Sequence, residues 1–100
     1  MFFITCFSKI AKDELGWLDM GASRCFGFKA TFEDAEYALN HNSCDMWEYL
    51  YDYAVIEEMD PGIHPDVKNR WFFKYDREKD GFFSIPEPEE FAHYCNIALG

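Results

Sequence analysis

One hundred residues carry nineteen acids against nine bases, a formal net charge of −10, with 49% hydrophobic and 20% aromatic residues. That aromatic share excludes a disordered tail, and no run approaches the ~20 apolar residues that a spanning helix needs. The deficit of positive charge excludes a general nucleic-acid binder, which needs a basic field over its surface.

Met1 to Phe7 has neither the basic start nor the cleavage site of a secretion signal, so a cytoplasmic protein is expected. Phe2 to Ile10, apolar or β-favouring on both faces, predicts a central strand. Lys12 to Ala22 holds Asp13, Gly16, Asp19 and Gly21 and reads as a loop, of a length that is often functional. Ser23 to Lys29 predicts a second strand, antiparallel to the first, with Phe26 and Phe28 on one face. Thr31 is the N-cap of a helix running to His41, with Asp34 at its third position and Phe32, Ala35, Ala38 and Leu39 at helical spacing. Cys44 to Tyr49 fits either a short helical turn or a loop.

Leu50 to Glu58 is β-rich, and Pro61 to Pro65 is a breaker. Trp71 to Tyr75 and Phe82 to Ile85 predict two strands joined by a hairpin turn that ends in Asp80-Gly81. Pro86-Glu-Pro-Glu-Glu90 opens a last helix near 88–99, expected to bury Phe91, Tyr94, Cys95 and Leu99. The order β-β-α-β-β-β-α is that of one α+β domain over residues 1–100. Its expected form is a mainly antiparallel sheet of about five strands with two helices.

Tyr51-Asp-Tyr-Ala-Val-Ile-Glu57, the Trp71–Ile85 hairpin and Pro88-Glu-Glu-Phe with Cys95-Asn-Ile-Ala-Leu-Gly100 carry a resemblance over most of the chain. Together they resemble a set of small bacterial proteins without known activity, met in gut bacteria and their phages or mobile elements. The resemblance implies a cytosolic, accessory, mobile-element setting and lends no catalytic residue.

Asp76-Arg-Glu-Lys-Asp-Gly-Phe-Phe-Ser-Ile-Pro-Glu87 matches the twelve-residue calcium loop in its acids, its Gly81 and its final Glu87. No second loop accompanies it, prolines flank Glu87, and Trp71 to Tyr75 fits a strand, so a hairpin is the favoured reading. His41, Cys44, His93 and Cys95 could supply four zinc ligands. Residues 93 and 95 point to opposite sides of a helix, and Cys95 lies on its core stripe, so plain thiols and imidazoles are favoured. Cys6, Cys25, Cys44 and Cys95 are expected to stay reduced. Cys44, with His41 and Asp45 near it, is a poor nucleophile because neighbouring acids raise a thiol's pKa. The chain is not expected to be an enzyme, and no cofactor or metal is expected.

Charge is the strongest signal. Residues 31–60 hold nine acids and no base, whereas residues 1–30 sum to +1 and residues 61–100 to −2. Such a block is either a solvated face or a docking surface for a basic partner. The expected partner-binding residues are Glu33, Asp34, Glu36, Asp45, Trp47, Glu48 and Tyr49, with aromatics anchoring what the charge steers. The expected function is that of a small acidic cytoplasmic binding protein. It would inhibit a basic nucleic-acid-handling or defence protein by charge mimicry, with no direct contact to nucleic acid or membrane. The alternative is a ligand-binding module, for calcium at 76–87 or for a small molecule held by exposed aromatics. A continuous acidic face favours the first, and carboxylates converging at 76–87 favour the second.

Overall fold

The computed structural model describes residues 1–42, 46–47, 50–60, 62–63, 66–92 and 94–98. In chain order its elements are β1 (Phe2–Phe7), β2 (Ala11–Lys12), β3 (Leu18–Asp19), β4 (Ser23–Lys29), α1 (Phe32–Asn40), β5 (Tyr53–Glu58), β6 (Asn69–Asp76), β7 (Gly81–Ile85) and a 3-10 turn at Glu89–Phe91. Five strands form one antiparallel sheet in the order β4-β1-β5-β6-β7, and β2 pairs with β3 as a separate short hairpin.

Both faces of the sheet are covered, which explains why β1 and β5 are buried along nearly their whole length. On one face Ile4, Cys6, Ala54, Ile56, Phe73 and Phe82 pack under Ala35, Ala38 and Leu39 of α1. On the other, Phe7, Val55 and Phe72 lie under Phe91 and Ile97 of the C-terminal segment. Large rings fill a small core with few residues. Phe32 meets Trp71 with ring centroids 4.6 Å apart, and Phe72 meets Phe91 at 5.0 Å.

Phe26 and Phe28 do not share a face as alternation predicts. The β1–β4 register shifts between Ile4 and Thr5, with Gly27 at a φ of 113°. A bulge of one extra residue reverses the alternation beyond it, and glycine takes such a φ without steric cost. Phe26 therefore joins the helix-side core, while Phe28 lies against Phe3 with ring centroids 5.0 Å apart.

The second expected helix does not form. After the single 3-10 turn the chain runs on irregularly across the sheet. The cause lies in two side chains facing each other across β5 and β6. The Arg70 guanidinium donates to the carbonyls of Tyr94 at 2.7 Å and Cys95 at 2.6 Å, and more weakly to that of Phe91. The Glu57 carboxylate accepts from Arg70 Nε at 3.0 Å and from the backbone N–H groups of Ile97 and Ala98. Main-chain groups that a helix would satisfy internally are satisfied here by the sheet. Phe91 is buried as expected and Tyr94 half-buried, but Cys95 is exposed, and Leu99 lies outside the described residues.

Residues 76–85 form the hairpin. Asp76 Oδ1 accepts the N–H groups of Glu78 and Lys79, which closes the turn, and Asp80 takes a φ of 52° before Gly81. No group of three or more His, Cys, Asp or Glu that could hold a metal ion comes together among the described residues. No helix among them is long and apolar enough to cross a membrane.

Candidate partner-binding face

Helix α1 positions the acidic residues. The Thr31 hydroxyl accepts the Asp34 N–H at 3.1 Å, and Glu33 and Asp34 occupy the first turn, where the helix dipole favours negative charge. With Ala35, Ala38 and Leu39 turned into the sheet, Glu33 and Asp34 are exposed and Glu36 is half-buried at the margin. Tyr37 is 62% exposed, and its ring stacks on that of His41 at 3.8 Å.

Trp47 is placed differently from a free anchor. Its indole Nε1 donates to the Leu39 carbonyl at 2.6 Å, its backbone N–H donates to Asn42 Oδ1, and its ring packs edge-on against Tyr75. It thus helps to close the C-terminal end of α1, together with His41, whose Nδ1 lies 2.8 Å from the Tyr37 carbonyl. Asp45, Glu48 and Tyr49 lie outside the described residues, as do Cys44 and His93.

The acidic block of the sequence divides in the fold. Asp52 pairs with Arg77 at 2.6 Å and Asp60 with Lys68 at 3.4 Å. Glu57 is fully buried against Arg70, and Glu58 accepts from the Asn69 amide. Only the three carboxylates of α1 remain, among the described residues of the block, without an ion pair or a side-chain hydrogen bond.

Beside them runs a shallow cleft of about 430 Å³ between α1 and β7. Glu36 and Asn40 form one wall, and Phe73, Phe82, Ser84 and the Asp80 corner form the other. Sequence reasoning brought Glu33, Asp34 and Glu36 together but missed this second wall. The Asp80-Gly81 turn signal located the hairpin corner, but nothing local says that β7 ends the sheet next to α1.

No family model matches the chain, and no curated protein and no solved structure matches it either.

Proposed function

We propose that this protein binds a basic partner through the outward face of α1, and that it inhibits a nucleic-acid-handling or defence protein by offering carboxylates in place of phosphates. The observation that carries the reading is the uneven neutralisation of its charge. Bases from elsewhere in the chain meet Asp52, Glu57 and Asp60, while Glu33, Asp34 and Glu36 stay unpaired on one helix face. Long-range attraction from a net charge of −10 would steer a cationic surface to that face and speed encounter. A cytoplasmic, mobile-element setting fits such an inhibitor and is part of the same proposal.

The test is capture of partners from bacterial lysate on immobilised protein, at low and high salt, beside the variant Glu33→Lys/Glu36→Lys. A basic protein retained at low salt, released by high salt and not retained by the variant supports the reading. Equal retention by both forms refutes it.

A second reading rests on a separate place. Lys12, Trp17, Leu18, Glu89, Glu90 and Tyr94 line a cleft of about 570 Å³ where the β2–β3 hairpin meets the C-terminal segment. Trp17 is 69% exposed there, a position suited to stacking on a flat small molecule. Quenching of tryptophan fluorescence by such a ligand, lost in Trp17→Phe and unchanged by the α1 reversals, would favour it.

A further inference from the structure

The two edges of the sheet are not alike. Edge strand β4 carries Arg24 and Lys29, both exposed, and is bent by the bulge at Gly27. Charged side chains and bulges are how natural sheets discourage another strand from pairing. Edge strand β7, Gly81-Phe-Phe-Ser-Ile85, holds no charge, no proline and no bulge. Among the described residues it pairs only with β6, so every second residue turns its N–H and C=O outward, and no described backbone group bonds to them.

We infer that β7 is a strand-addition site for an extended segment of the basic partner, one in which basic side chains alternate with apolar ones. The inference rests on the acidic-face reading and specifies what that face grips. An added strand would send its alternate side chains to opposite faces of the sheet. One set would enter the cleft between α1 and β7, whose rim holds Glu36 and Asp80 and no base. The other set would lie beside Phe83 and Ile85, where Lys74 and Arg77 are balanced by Asp76 and Glu78. Positive charge is therefore favoured on the first side, and on the second, without net charge, the exposed Phe83 and the half-buried Ile85 suit apolar residues. A second copy of this chain is the poorer occupant, because its uncharged β7 would bring no positive charge to Glu36 and Asp80.

Two peptides of equal composition separate these ideas, one alternating lysine and valine and one with all its lysines before its valines. Binding is read by fluorescence anisotropy, and the site by amide hydrogen exchange. The alternating peptide is expected to bind about tenfold more tightly than the block peptide. It should slow exchange at every second amide of residues 81–85. Glu36→Gln with Asp80→Asn should weaken it about three- to tenfold, as two partly exposed charge pairs would. Ser84→Pro should abolish the exchange protection, and the charge variant keeps the test valid if the proline variant does not fold. Equal binding of both peptides, lost on charge substitution but without protection of β7, overturns strand addition and leaves the acidic-face reading standing. No binding of either peptide at low salt, together with lysate capture unchanged by the α1 reversals, refutes both. A dimer that protects β7 without peptide overturns the inference in favour of self-association.

Discussion

Glu57 and Arg70 stand opposite each other in the β5–β6 register, and their chief work is to bind the main chain of the last segment. The side chains are 0% and 9% exposed, so the pair is desolvated, and its members depend on each other and on those backbone groups. Breaking a buried pair from one side leaves the other charge uncompensated, at about 3–5 kcal/mol. Arg70→Ala should lose stability of that order in urea unfolding and free residues 94–98 to exchange their amide hydrogens. Glu58→Gln, one residue away, keeps its bond to Asn69 and should stay within about 0.5 kcal/mol of the parent, as surface substitutions do. Cys6 makes a second prediction at this scale. Burial first, and the nearby Cys25 second, push its thiol from 9.0 up to about 12. Between those values the unfolded chain releases this proton and the folded chain keeps it, so stability falls as pH rises from about 9 to about 12. The fall contributed by this thiol should vanish in Cys6→Ala. At neutral pH iodoacetamide should modify the exposed Cys25 and Cys95 and spare Cys6 until the protein unfolds.

At the scale of elements, α1 is short, and its last turn depends on a residue beyond its end. Trp47→Phe keeps the ring against Tyr75 but removes the donor to the Leu39 carbonyl. The lost bond should cost about 1–2 kcal/mol, read as a lower urea midpoint with the helix signal lost in the same transition. This internal role sets Trp47 apart from Glu33, which is exposed, and from Glu36, which is half-buried at the margin of the cleft. Elements governed by local pattern were legible in the sequence. Thr31 capped α1, β4 ran from Ser23 to Lys29 as its composition suggested, and Asp80-Gly81 closed the hairpin. The helix over 88–99 was not, because its apolar spacing is genuine but lost to bonds from Arg70 and Glu57, some 21 to 41 residues away in the chain. The bulge escaped for a related reason. Gly27 permits it, but the register of β1 decides it. In the candidate site the helix face was legible and the β7 wall was not, since strand order is a property of the whole sheet.

Over the whole molecule the same charge acts on stability and on association with opposite signs of salt dependence. A net charge of −10 on a small domain repels itself, and added salt screens that repulsion within ~8–10 Å at ordinary ionic strength. Salt also weakens the exposed pairs Lys9–Asp19, Lys68–Asp60 and Arg77–Asp52. Exposed pairs contribute at most about 1 kcal/mol each, and often nothing measurable. Three such pairs are outweighed by the unpaired acids of α1 and of the C-terminal segment. Thermal stability should therefore rise as salt increases from low to ordinary ionic strength. Association with a basic partner should slow over the same range, because screening removes the steering field. Each reversal in Glu33→Lys/Glu36→Lys removes a negative charge and adds a positive one, so the pair takes the net charge from −10 to −6. Both salt slopes should become shallower in that variant, the stability slope by calorimetry and the association slope by stopped-flow mixing. The opposite signs matter for interpretation, since a complex lost at high salt while the melting temperature rises has dissociated and not unfolded. If stability and association instead fell together with salt, the exposed ion pairs would dominate the electrostatics, and the α1 acids would be a solvated face without a partner.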